Sequence, residues 1–146
     1  MRPSSDPFLQ AMEDYRAAVL AKDVEAFVGL YDAHVHVFDM WGAWSLQGID
    51  AWRGMAEAWF ASAGQDWIVV DIHQAGSTCL GELAIGHATL TYTALSPDGR
   101  ALRSLDNRMT AALRKTDGVW KIFHEHTSAP IDHASLQAIL KRGVAG

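Results

Sequence analysis

Asp39, Tyr15 and a scatter of histidines are the residues whose chemistry stands out in this chain. Tyr31 to Asp39 reads Tyr-Asp-Ala-His-Val-His-Val-Phe-Asp, and its β-branched content predicts a strand. Side chains alternate along a strand, so Val35, Val37 and Asp39 share one face and His34, His36 and Phe38 the other. A carboxylate in line with two valines is desolvated, which raises its pKa and makes it a better base when ionised. If Asp39 has already left the strand, it caps the turn at Met40 to Gly42 instead. Tyr15 sits on the apolar side of a helix with Phe8, Met12 and Val19. It is either a core tyrosine with one hydrogen bond or a hydroxyl pointed into a pocket.

The stretch Trp120 to Pro130 reads as a strand stopped by proline. Trp120, Ile122, His124, His126 and Ser128 fall on one face; Lys121, Phe123, Glu125 and Thr127 fall on the other. Both faces mix apolar and polar groups, so the strand either lines a polar cavity along part of its length or packs with satisfied histidines. Two imidazoles on one face, as in His34/His36 and His124/His126, can chelate, and His87 could join them. A His-x-His pair is a weak signal, and nothing here fixes a third ligand, so no metal is expected. No Gly-rich phosphate loop is evident and Cys79 has no motif around it, so no cofactor and no thiol nucleophile are expected. His87, Arg108, His124, His126, Trp41 and Trp59 are the candidate pocket residues.

These side chains need a scaffold, and 146 residues suffice for one domain with a substantial core. A hydrophobic content of 49% with 20% charged residues fits a globular protein. The formal net charge of -5, with no basic stripe, argues against nucleic acid. No apolar run is long enough to cross a membrane, and Met1 to Asp6 lacks the apolar core of a signal peptide. The single cysteine allows no internal disulfide and suits a reducing compartment, so a cytoplasmic location is expected. Six tryptophans are many for this length and suit a core, a dimer interface or an apolar ligand site.

In chain order, Met1 to Ser5 is expected to fray. Asp6-Pro7 starts a first helix and Asp23 caps a second, Val24 to Leu30. Gly48 opens a third helix, ending near Ala63, whose stripe of Trp52, Met55, Trp59 and Phe60 is either plain core or the roof of a cavity. Strands follow at Trp67–Gln74, Leu83–Leu95 and Arg100–Lys115, with turns at Ser96-Pro97-Asp98-Gly99 and Thr116-Asp117-Gly118. Asp132 is expected to cap a last helix within residues 132–142. Helices followed by a strand meander predict an α+β domain over residues 1–146.

This order of elements resembles the nuclear transport factor two-like superfamily. The end, Asp117-Gly118-Val119-Trp120-Lys121-Ile122 followed by His124 to Pro130, looks like the signature of SnoaL-like domains. It is also similar to the end of the association domain of calcium/calmodulin-dependent kinase. The resemblance covers nearly the whole chain. It implies a cone-shaped curved sheet, mixed or antiparallel, wrapped around N-terminal helices, with an internal pocket and a homodimer. From Tyr15 through Asp23-Val24-Glu25-Ala26 to Tyr31, Val37 and Asp39, the chain resembles ketosteroid isomerase without a gap. That resemblance implies that Tyr15 donates to an oxyanion, that Asp39 moves the proton, and that Asp106 is a protonated second donor. Asp106 has the parity of Ser104, Arg108 and Thr110, whereas Leu105, Met109, Ala111 and Leu113 form the apolar register. One pocket for both sets would require a β-bulge. Arg108, beside Asp106, could also pair with an acid and keep it ionised. The expected function is cofactor-free acid/base chemistry of isomerase, cyclase or dehydratase type on an apolar carbonyl-containing substrate. The alternative is a non-catalytic module for ligand binding or oligomerisation.

Overall fold

Asp6 caps the first helix, α1 (Pro7–Ala21), by accepting from the Leu9 N–H at 2.9 Å. Asp23 does the same for α2 (Val24–Val28) through Ala26 N–H at 3.0 Å. Both caps satisfy amide donors that the first helical turn leaves unpaired. The computed structural model describes residues 6–143, so the expected frayed tail, Met1 to Ser5, lies outside the described residues. After α2 come β1 (Tyr31–Phe38), β2 (Leu46–Gln47) and α3 (Ile49–Ala63). The strands β3 (Trp67–Leu80), β4 (Leu83–Leu95), β5 (Ala101–Thr116) and β6 (Val119–Ser128) complete the fold.

The strands form one curved, open six-stranded sheet in the order β2-β1-β6-β5-β4-β3. All neighbours are antiparallel except β1 and β6, which run parallel. This is the expected α+β arrangement, with the helices held in the hollow of the sheet. Phe8, Met12 and Val19 of α1, Phe27 of α2 and Trp52 of α3 meet Leu90, Met109, Leu113 and Ile122 of the sheet in one core. The approach of α1 is close enough to require glycine at one point. A Cβ on Gly86 would stand 2.1 Å from the Phe8 ring, which no packed core tolerates.

Two bulges change which side chains face the hollow. Opposite β5, Leu113 pairs with Ile122 but Ala112 pairs with His124, so Phe123 is an extra residue in β6. A bulge of this kind resets the alternation. Ile122 faces inward before it, and Glu125 and Thr127 face inward after it, all three buried. The sequence reading that put Ile122, His124 and His126 on one face is therefore corrected. In β3 the pairing shifts between His73 and Gly76, where Gln74 adopts φ 53°. Residues 74–76 absorb this irregularity and the strand continues to Leu80, beyond the expected end at Gln74.

The expected C-terminal helix within 132–142 is absent. Asp132 does cap, accepting from Ser135 N–H at 2.8 Å, but Leu136 takes φ 61° and ends the turn. The chain then doubles back so that Ile131 bridges Ala138. The Leu140 carbonyl next accepts from Asp106 N–H at 2.7 Å. This segment thereby satisfies β5 where β6 has already ended. Among the described residues no helix is long and apolar enough to cross a membrane.

Candidate functional site

Between α1, α3 and the concave face of the sheet lies a cavity of ≈ 440 Å³. Its roof comes from α3, where Trp52, Met55 and Trp59 recur at helical spacing. Its floor comes from alternating positions of β5 and β6, namely Leu105 and Asn107, then Glu125 and Thr127. Tyr15 of α1 and Tyr92 of β4 close one side. Asp39 and Trp41, from the segment after β1, close another.

The polar groups come in pairs. The hydroxyls of Tyr15 and Tyr92 stand 2.8 Å apart. One donates to the other, which leaves a second proton free to donate elsewhere. Burial pushes both phenols above their ordinary pKa, so the pair is neutral. The Tyr31 hydroxyl donates to Oε1 of Glu125 at 2.6 Å. Glu125 is 1% exposed and has no ion-pair partner among the described residues. Burial, helped by the charge of Asp39 and opposed by the Tyr31 hydrogen bond, pushes its carboxyl up to about 8. Glu125 is therefore mostly protonated at neutral pH. Asn107 leaves its buried Oδ1 without a partner. Buried polar atoms of this kind are uncommon and lie where a ligand or water can satisfy them.

Asp39 has left the strand, because β1 ends at Phe38. Its Oδ1 accepts from the Thr127 hydroxyl at 3.0 Å, and Thr127 Oγ1 in turn accepts from Met40 N–H at 2.9 Å. Burial raises the Asp39 pKa above its ordinary value, and the Thr127 and Met40 hydrogen bonds act in the opposite direction. The carboxylate is thus in the turn, as one of the two sequence readings had it, and still borders the cavity.

Tyr15, Asp39, Trp41 and Trp59 share this cavity; the other predicted site residues do not line it. Asp106 lies one position from Asn107 on β5 and so faces the opposite side. Its carboxylate accepts from Thr91 Oγ1 at 2.6 Å and from Arg142 N–H at 2.8 Å. Burial alone would raise its pKa, but these bonds and the charges of Arg142 and Lys141 outweigh it and hold the carboxyl below its ordinary value. The expected protonated donor at Asp106 is corrected on that ground: the residue is an ionised carboxylate away from the cavity. Arg108 is not its partner and instead donates from Nε to Ser128 Oγ at 3.1 Å. His87 is exposed, with its ring against Gly76. The Nδ1 of His124 meets the His36 carbonyl at 2.8 Å. His126 packs on Phe38 and borders a second hollow beside Asp39, Met40 and Trp44. Among the described residues no three His, Cys, Asp or Glu side chains gather as metal ligands would.

Sequence reasoning missed Tyr92, Asn107, Glu125 and Thr127. Asn107 shares parity with Met109, Ala111 and Leu113, which was a usable signal. Glu125 and Thr127 gave none, since their direction depends on the bulge at Phe123.

Solved structures share this architecture. An NTF2-like protein of unknown function from Pseudomonas putida KT2440 is 24% identical, with 93% of each chain covered and a TM-score of 0.83. A protein with a cystatin-like fold from Caulobacter vibrioides is 18% identical, with 88% of this chain and 91% of that one covered and a TM-score of 0.68. A Xanthomonas campestris protein provisionally assigned as a calcium/calmodulin dependent protein kinase II association domain is 17% identical. It covers 89% of this chain and 95% of its own, with a TM-score of 0.70. At these identities the likeness is one of fold. The comparison with curated proteins finds no match in sequence. The model of the SnoaL-like domain matches residues 9–132, and the chain belongs to that family.

Proposed function

We propose that the cavity performs cofactor-free general acid/base chemistry on an apolar carbonyl-containing small molecule. The observation that carries this reading is the meeting of the Asp39 carboxyl, the deeply buried Glu125 carboxyl and the Tyr15–Tyr92 hydroxyl pair in one mainly apolar hollow, with burial pushing Glu125 up to about 8. Groups whose surroundings set different protonation states are what acid and base roles require. In this mechanism Asp39 takes a proton from the carbon next to the carbonyl. The electron pair of the broken C–H bond forms the enolate double bond, and charge moves onto the oxygen. Glu125 and the free hydroxyl of the Tyr15–Tyr92 pair donate to that oxygen. An isomerase then returns the proton from Asp39 to another carbon. A cyclase uses the enolate carbon to attack a second carbonyl, whose oxygen takes the π electron pair and then the proton from Asp39, and a dehydratase expels a β-hydroxyl that takes its proton from Glu125 and leaves as water.

Enolisation is testable without the natural substrate. Methyl ketones incubated in deuterated buffer should exchange the hydrogens beside the carbonyl, as read by proton NMR. Asp39→Asn should stop that exchange while its circular dichroism matches the parent. Exchange at the parent's rate in the variant would remove Asp39 from the mechanism. The association-domain assignment of the Xanthomonas relative supports a second reading, a binding or assembly module, for which ligands bind and no exchange occurs. A homodimer belongs to the proposal too, supported by exposed apolar side chains on the strands, such as Trp67, Ile85 and Val119. Light scattering of the purified chain tests it. A cytoplasmic setting is proposed on the single exposed free thiol of Cys79, and fractionation of the native host tests that.

A further inference from the structure

Arg103 is the cationic side chain that lines the cavity. It is exposed, so it stands where the cavity opens to solvent. Arg16, Arg53, Arg100, Arg114 and Arg142 each meet a carboxylate, and Arg108 donates to Ser128. Among the described residues the guanidinium of Arg103 has neither an ion pair nor a hydrogen bond. It shares the inner face of β5 with Leu105 and Asn107. Asn107 lies four positions beyond Arg103 along the strand, which is about 14 Å. Asn107 in turn donates from Nδ2 to the sulfur of Met40, next to Asp39. The cavity therefore has a cation at one end, acid/base groups at the other, and Leu105, Met55 and Trp59 among its apolar walls.

Resting on the acid/base reading above, we infer that the substrate is an elongated, mainly apolar carbonyl compound carrying a carboxylate, which Arg103 receives while the carbonyl end reaches Asp39 and Glu125. A guanidinium binds a carboxylate through paired N–H donors, which fixes orientation as well as adding attraction. One unpartnered cation matches one negative charge; a phosphate dianion would call for more. The inverted pose is disfavoured, because it brings the ligand's carboxylate against the carboxyl groups of Asp39 and Glu125 in a poorly solvated hollow that, among the described residues, holds no cation at that end. The chain as a whole has a net charge of -5, so Arg103 is a local exception in a field that repels anions.

The test uses 9-oxodecanoate, whose methyl ketone and carboxylate lie at opposite ends, beside its methyl ester. Trp41, Trp52 and Trp59 line the cavity, so intrinsic fluorescence reports occupancy. The parent protein should bind the acid about tenfold more tightly than the ester. Arg103→Gln, at an exposed strand position, should lower the affinity for the acid to that for the ester and leave the ester unchanged. Equal affinities in the parent, or an acid preference that survives Arg103→Gln, overturns the inference. Deuterium exchange into the ester tests the chemistry separately. Exchange without acid preference rejects the anion site and keeps the mechanism; acid preference without exchange keeps the site and rejects the mechanism on which the carbonyl's placement rests.

Discussion

Glu125 and Asp106 are acids on adjacent strands of one sheet, and they are in opposite chemical states. Glu125 is buried against Tyr31 with no cation, and its carboxyl is pushed up to about 8. Asp106 lies on the other face, held by Thr91 and Arg142, with its pKa below the ordinary value. Burial acts in the same direction on both. What separates them is whether hydrogen-bond donors and a positive charge are at hand to offset it. One face of the sheet thereby holds a proton donor at neutral pH, while the other holds a structural carboxylate that anchors the end of the chain.

This contrast can be broken most forcefully through Asp39, the charge that Glu125 senses. Asp39→Asn should lower enolisation by roughly 10²–10⁴-fold, the usual contribution of a positioned base. It should also let the Glu125 carboxyl titrate at lower pH, because a like charge beside it is gone. Carboxyl infrared bands followed against pH would check that second effect.

Stability against pH should carry opposite signatures from the two acids. Glu125 holds its proton in the folded state above the ordinary carboxyl value of 4.5 and up to about 8. The folded state binds more protons than the unfolded one across that window, so stability falls as pH rises through it. The loss is on the order of several kcal/mol. Urea titrations from pH 5 to 9 should show this decline in the parent and a flatter profile in Glu125→Gln. A decline of equal size in the variant would mean that another group is responsible. Asp106 has a lowered pKa, so its contribution is present above the unfolded pKa and disappears as the solution is acidified.

Tyr31→Phe sharpens the comparison by removing the one hydrogen bond to Glu125. It should cost about 1–3 kcal/mol and move the titration of Glu125 to still higher pH, since that bond favours the ionised form. Asp106→Asn should have the smallest effect: exchange within about twofold of the parent, and a loss near 1 kcal/mol that shrinks in acid. A large loss of exchange in this variant would place Asp106 in the chemistry after all.

Much of the frame was legible in the residues because its determinants are local. Asp6-Pro7 and Asp23 announce helix starts through the donors they satisfy, and Ser96-Pro97-Asp98-Gly99 announces a turn through the backbone angles it favours. The apolar stripe of α3 allowed for a cavity roof. Asp132 misled, because a good cap cannot sustain a helix once Leu136 turns left-handed and the segment bonds to Ile131 and Asp106 instead. At the site, Tyr15, Asp39, Trp41 and Trp59 could be picked out by type and spacing. Tyr92 and Asn107 looked like ordinary strand residues until their partners came into view.

The chain by itself determined its helix caps, its turns, the strand segments and the apolar faces that bring α1 and α3 into the hollow of the sheet. These follow from backbone preference and from periodicities that a few neighbouring residues set. Tertiary structure decided the direction of Glu125 and Thr127, because the bulge at Phe123 exists only in the pairing of β6 with β5. It also decided which acids keep a proton. A carboxyl's charge depends on the water it loses and the cation it gains, and both come from residues distant in sequence.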